Sequence, residues 1–370
     1  MLESPTVRAT FLAKLRANNP ISRVIRNGTT PEQFHNWVLE KLSPFFSRRD
    51  VLEHFALSVL APQAVNLTRI QHHAGANEIF RHCVDISRGA HDTDAEQWLS
   101  ATKQTFEDSN FGVSELWSTA NLERDVSALP LLEFKTEAFR LIGALIEASL
   151  QPFLRELLVL NRIKRARAWN IQVVRSMKLG NVVEELSATS DLSSLIVPQP
   201  WGVRLNQWRN IAQHHLATIK SDNIVLSPSA AKTHAEIWLA REDVLQVCRD
   251  LIALFTAVKA ALEIVQFDLL GGGIPCLHPE HGHREEAVVM HFAWAVSTQG
   301  FELMDIEVSS EKAWVDLGDI IIDDEMRRIA HASQLLQLLF GYFPRTEVGI
   351  RYFRRDGWRS VSEPAGCRVR

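Results

Sequence analysis

The chain has 370 residues, 46% of them hydrophobic and 23% charged, with 17 glycines and 14 prolines. That composition excludes a collagenous, low-complexity or disordered chain, and the length predicts two or three domains with cores of their own. A net charge of −4 excludes a field that draws nucleic acid or an anionic membrane over the whole surface, so any RNA contact has to come from a local basic patch. The four cysteines, Cys83, Cys248, Cys276 and Cys367, form no C-x-x-C pair, which predicts free thiols in a reducing compartment. No signal peptide is legible at the start, and no run reaches the roughly 18 apolar residues of a membrane span. The stretch 251–270 comes nearest and is broken by Lys259, Glu263 and Asp268. The expectation is a soluble, cytoplasmic protein.

Residues 1–128 predict an N-terminal helical region. Apolar residues recur at i, i+3, i+4 and i+7 in 34–46 and 51–61, punctuated by Pro31, Pro44 and Pro62. Asp92–Asp94 and Asp108–Asn110 read as caps or turns. A helical bundle follows over 129–270. Leu131–Leu160 is helix-forming throughout, split or kinked at Pro152. A second amphipathic segment runs through Val173, Val174, Met177, Val182 and Leu186, and a third helix runs from an Asn206 cap to Lys220. Asn223–Leu226 and His234–Leu239 predict a small β-hairpin. Arg241–Phe267 closes the bundle, with Val244, Val247, Cys248, Leu251, Leu254, Phe255 and Val258 on its buried face.

Three glycines at 271–273 cannot hold a helix, each costing about 1 kcal/mol relative to Ala, and with Pro275 they mark a Gly/His-rich linker over 271–284. Residues 285–370 predict a small α+β domain. Its elements are a helix over Ala287–Val296, strands over Phe301–Val308 and Ala313–Ile322, a helix over Asp324–Phe340, and a hairpin of Val348–Phe353 with Trp358–Val361. The fold class expected is mainly α.

Chemistry concentrates in Trp208-Arg209-Asn210-Ile211-Ala212-Gln213-His214-His215. A histidine titrating near neutrality can move the proton of an RNA 2′-hydroxyl, an effect worth about 10²–10⁴-fold. A permanently charged arginine can hold two phosphate oxygens as charge builds on them. Asn210 and His214, four apart, share a helix face. Arg48 and Arg49 with His54, and Arg284 with His291, repeat the spacing without an asparagine after the arginine.

Arg209, Asn210 and His214 resemble the R-N-x-x-x-H motif of HEPN domains, and the order of elements over 131–270 resembles the HEPN bundle. Many members of that family are metal-independent endoribonucleases of bacterial toxin and antiviral-defence systems. The resemblance implies a hydrolytic site of Arg209, Asn210 and His214, with His215 as the alternative histidine, and RNA ends left as 2′,3′-cyclic phosphates. It also implies no cofactor, a homodimer that pairs two motif helices, and a regulatory or antitoxin partner. The competing reading is a non-catalytic HEPN-like scaffold that binds a partner protein or a nucleotide.

Arg162, Lys164, Arg165 and Arg167, followed by Trp169, Arg175 and Lys178, form the densest basic stretch. They predict contact with an RNA backbone, and a solvated helix face is the competing reading. Cys276, His278, His281 and His283 crowd a contiguous run with Pro and Gly, which reads as exposed linker rather than zinc site. Asp316, Asp319, Asp323, Asp324 and Glu325 read as helix capping rather than as a Mg²⁺ site. No phosphate loop, dinucleotide fingerprint or nucleophile elbow is present.

Overall fold

The computed structural model describes residues 4–120, 126–192, 196–198, 200–227, 236–271, 285–321, 325–344, 347–354 and 357–364, and over them the chain is mainly helical. Prolines open the first helices. α1 (Pro5–Asn18), α2 (Pro20–Arg26) and α3 (Pro31–Leu42) each begin on one, where a missing N–H costs nothing. Thr30 and Gln33 close a capping box on α3. α4 (Arg49–Phe55) is capped from afar: the buried carboxylate of Asp268 accepts the Ser47 and Arg48 N–H groups at 2.8 and 2.9 Å.

A π turn over Ala56–Leu60 leads into α5 (Ala61–Gln71). α6 (Ala74–Thr93), α7 (Ala95–Ala120) and α8 (Leu131–Ala144) follow, and a second π turn, Leu145–Leu150, leads into α9 (Gln151–Lys164). Each π turn stands just before a helix whose second residue is proline, Pro62 or Pro152. Proline has no N–H and its ring clashes with the carbonyl four residues back; a wider turn relieves both without breaking the helix. The split expected at Pro152 is therefore a local change of pitch.

α9 is buried on every side through Leu157, Leu158, Val159 and Leu160, as the helix packed by α6, α7 and α11 must be. Asp94 caps α7 as expected, accepting from Gln97 N at 2.9 Å. Asp108–Asn110 is no turn: it lies inside α7. Asp108 binds Arg175 at 2.7 Å and Ser109 donates to buried Glu156 at 2.7 Å, so these side chains join helices instead of turning their own backbone.

α10 (Ile171–Ser176), α11 (Leu179–Thr189) and α12 (Leu205–Gln213) come next. α12 starts two residues before Asn206 could cap it and stops seven short of Lys220. The remainder forms β1 (Ala217–Lys220), which pairs antiparallel with β2 (Asn223–Leu226), and β2 with β3 (Ile237–Leu239). The expected hairpin is thus two strands of a three-stranded sheet. α13 (Arg241–Leu270) buries the seven apolar residues expected on its inner face.

α14 (Glu285–Thr298), β4 (Phe301–Val308), β5 (Lys312–Asp319), α15 (Glu325–Tyr342), β6 (Glu347–Arg354) and β7 (Gly357–Pro364) complete the chain. Their sheet runs β4-β5-β6-β7, with β5 and β6 parallel across the α15 crossover and the outer pairs antiparallel.

Two compact units result: residues 1–65 with 266–370, and residues 66–265. They do not coincide with the segments 1–128, 129–270, 271–284 and 285–370. In the first unit, Leu12 and Leu15 of α1 enter the same core as Phe292, Phe301, Leu339 and Phe343. Asn19 Nδ2 donates to buried Ser297 Oγ at 2.9 Å, and Arg8 pairs with Asp305 at 3.1 Å. The N-terminal helices therefore belong to the α+β unit. Residues 272–284 of the expected linker, with Cys276 and its three histidines, lie outside the described residues, as do Asp323, Asp324, Cys367 and 228–235 of the hairpin. Among the described residues no helix is long and apolar enough to cross a membrane.

Candidate functional site

α12 is fastened to its unit by one stripe and turns its polar stripe sideways. Leu205, Trp208 and Ile211 are buried at i, i+3 and i+6. Ala212 faces Gly143 of α8 so closely that a Cβ at 143 would stand 3.3 Å from the Ala212 methyl. That approach brings Arg209 and Gln213, one turn apart, against the π turn. Glu147 accepts from Arg209 Nη2 through Oε1 at 2.7 Å and from Gln213 through Oε2. Arg209 Nη1 also donates to Asn210 Oδ1 at 3.3 Å.

His214 and His215 lie past the helix end. His214 is the C-cap, its N–H bonded to Asn210 O at 2.9 Å. His215 is left-handed at φ 53°, and Leu216 N reaches back to Ile211 O at 3.2 Å. This is a Schellman ending with histidine where glycine is usual. It explains why the apolar pattern beyond His215 becomes a strand: one left-handed residue redirects the chain into β1.

Beside this turn lies a cleft of about 430 Å³ between α8, the π turn, α12 and the start of β1. Phe139, Gly143, Ala144, Ala148, Ile211 and Ala212 give it apolar walls, and Lys135, Arg140, Glu147, Gln213 and His215 supply polar groups. Lys135 Nζ donates to Ala217 O at 3.2 Å, and Arg140 pairs with Glu137 at 3.0 Å. Both histidines are exposed, but only His215 is among the lining residues. Of the expected site residues, His215 lines the cleft, Arg209 is tied to it through Glu147, and Asn210 and His214 are not among its lining residues. Glu147, which the sequence reading missed, stands among them; a lone acid in the apolar run Leu145–Leu150 was its one visible signal.

The basic stretch sits at the C-terminus of α9, where cations complement the helix dipole. Arg162 grips Glu185 with Nε at 2.6 Å and Nη2 at 2.5 Å, and Lys164 pairs with Asp85 at 2.5 Å. The hydrogen bonds from Arg162, aided by the charges of Arg167 and Arg165, hold the Glu185 carboxyl below the usual carboxylate range. Arg165 and Arg167 are exposed and enter no ion pair among the described residues. Ala166 between them is left-handed at φ 51°, a second Schellman ending without glycine. Of the four expected RNA contacts, two are committed to carboxylates and two are open.

The acidic cluster behaves as structure. Asp319 accepts from Arg328 Nε at 2.8 Å and from the Tyr352 hydroxyl. Arg328 is 2% exposed, lies 3.6 Å over the Phe301 ring, and donates to the Gln299 and Gly300 carbonyls at 3.0 and 2.9 Å. Asp316 accepts from Arg351 Nε at 2.5 Å. Among the described residues no three His, Cys, Asp or Glu side chains are grouped to hold a metal ion. Cys83 and Cys248 are free and buried, and burial pushes both thiols up, Cys248 to about 12.

Comparison with protein-family models, with curated proteins and with solved structures finds no match to this chain.

Proposed function

We propose that this chain is a metal-independent endoribonuclease of the HEPN type that cuts RNA by attack of the 2′-hydroxyl on the adjacent phosphate. The observation that carries the reading is the end of α12: Arg209 is bound to Glu147 and Asn210, and Glu147 and His215 both line a cleft of about 430 Å³, with His214 next to His215 in the chain. Arg209 holds the phosphate and takes up the charge that develops on it. One of the two histidines moves the proton: His214, in register with Asn210, or His215, which lines the cleft. Transphosphorylation uses both an acid and a base, so a homodimer that brings two such helix ends to one phosphate completes the site. Arg165 and Arg167 extend the contact along the RNA backbone. The setting we propose is the bacterial cytoplasm, as a toxin or antiviral effector held by a regulatory partner.

Induced expression in a bacterium tests this. Growth arrest that Arg209→Ala and either His214→Ala or His215→Ala relieves is the expected result, and the pair of histidine variants assigns the proton transfer. Arrest unchanged in all three contradicts it. One observation favours the scaffold reading: the Arg209 charge is met by Glu147 without any ligand. A wild-type chain inert in growth and on RNA would decide for the scaffold.

A further inference from the structure

Arg209 is not a free side chain. Its side chain is 29% exposed, that of Glu147 is 40% exposed, and the two meet at 2.7 Å. Gln213, one turn further along α12, binds the other oxygen of the same carboxylate. Glu147 thus grips α12 at two points on one face. It lies within the π turn that Pro152 imposes, where each residue advances less around the axis than in an α-helix. The turn sets the direction in which Glu147 points.

We propose that Glu147 is the positioning residue of this site, holding the Arg209 guanidinium ready to receive a phosphate of RNA; the proposal rests on the ribonuclease reading. Of the five N–H donors of a guanidinium, Glu147 takes one and Asn210 another. Three remain, on Nε and on both terminal nitrogens, and they can engage phosphate while the grip persists. An arginine already held loses less rotamer freedom when the phosphate arrives, and its fork meets the developing charge without first reorienting. Partial exposure keeps the pair screened, so the carboxylate orients the guanidinium without cancelling its charge. Glu137, half-buried and paired with Arg140 of its own helix, offers a control carboxylate that is not among the residues lining the cleft.

The experiment uses the full chain in EDTA with a 5′-labelled, mixed-sequence single-stranded RNA. It compares wild type, Glu147→Ala, Glu147→Gln and Glu137→Gln. Turnover is read as kcat and KM. The grip is read independently as the rate at which phenylglyoxal modifies Arg209, followed by peptide mass spectrometry. Glu147→Ala is expected to lower kcat about 30-fold with KM within about twofold, and to speed Arg209 modification about fivefold. Glu147→Gln, the same shape with a weaker acceptor, falls between on both readouts, and Glu137→Gln matches wild type. Should Glu147→Ala fail to fold, Glu147→Gln decides alone. Modification no faster than in wild type overturns the proposal, and so does faster modification with kcat intact. Either result leaves wild-type cleavage, and the ribonuclease reading, standing. A wild-type chain that leaves the RNA whole ends that reading and the positioning role together.

Discussion

Two arginines, Arg328 in the α+β unit and Arg209 in the helical unit, each meet a carboxylate, and the rest of their surroundings separates their roles. Arg328 is 2% exposed, stacked on Phe301, and bonded to Asp319 and two backbone carbonyls. At that burial a ligand cannot reach it from solvent. Arg209 meets Asn210 and Glu147, keeps part of its surface in water, and is joined through Glu147 to the wall of a cleft. A buried arginine holds a fold; a half-buried one with spare donors can hold a substrate.

The sharpest way to break this comparison is to remove each arginine in turn. Arg328→Ala empties the buried space over Phe301 and leaves Asp319 without its cation and the Gln299 and Gly300 carbonyls without their donor. It is expected to cost about 2–3 kcal/mol, read as a fall in the urea midpoint by tryptophan fluorescence. A shift no larger than that of a surface substitution would contradict the structural role. Arg209→Ala is expected to reverse the pattern. Stability changes by less than about 1 kcal/mol, whereas cleavage falls by about 10²–10³-fold, measured as single-turnover rate on labelled RNA.

The helical unit also carries an acid-sensitive pair that the comparison predicts. Hydrogen bonds from Arg162 depress the folded-state titration of Glu185 below its ordinary 4.5. The stability it contributes is present above that value and is lost as pH falls through the depressed one. Glu185→Gln is therefore expected to flatten the acid limb of the melting temperature against pH, by about 1 kcal/mol for this half-buried pair. An acid limb unchanged in the variant would remove Arg162 from the structural column and return it to the open cations.

The smallest effects lie at the two left-handed helix endings. Ala166→Gly and His215→Gly relieve a non-glycine residue of positive φ, and each is expected to stabilise by about 0.5–1 kcal/mol in thermal melts. If His215 moves the proton, His215→Gly gains stability and loses cleavage, whereas Ala166→Gly gains stability and keeps it.

How much of this was legible in the sequence varied with the range of the interactions. β4, β6, β7, α14 and α15 were readable because strand and helix periods are local, and the β4 range is the one expected. The inner face of α13 was readable for the same reason. The end of α12 was not, because His215 occupies a position where the usual signal is glycine. Asp108–Asn110 looked like a turn because its polar side chains are used by Arg175 and Glu156, residues far along the chain. The joining of α1 and α2 to the α+β unit rests on Leu12, Leu15 and Asn19, none of which stands out alone. Arg209, Asn210 and the histidines were singled out by residue type and spacing. Glu147 was hidden because its direction depends on a π turn that no periodicity reveals.

The most direct test of the central claim is end-group analysis of RNA incubated with the purified chain in EDTA, wild type beside Arg209→Ala. Fragments carrying 2′,3′-cyclic phosphates with the wild type, and reduced at least about a hundredfold with Arg209→Ala, are the predicted result. RNA left intact by the wild type, or cut equally by both, would contradict it.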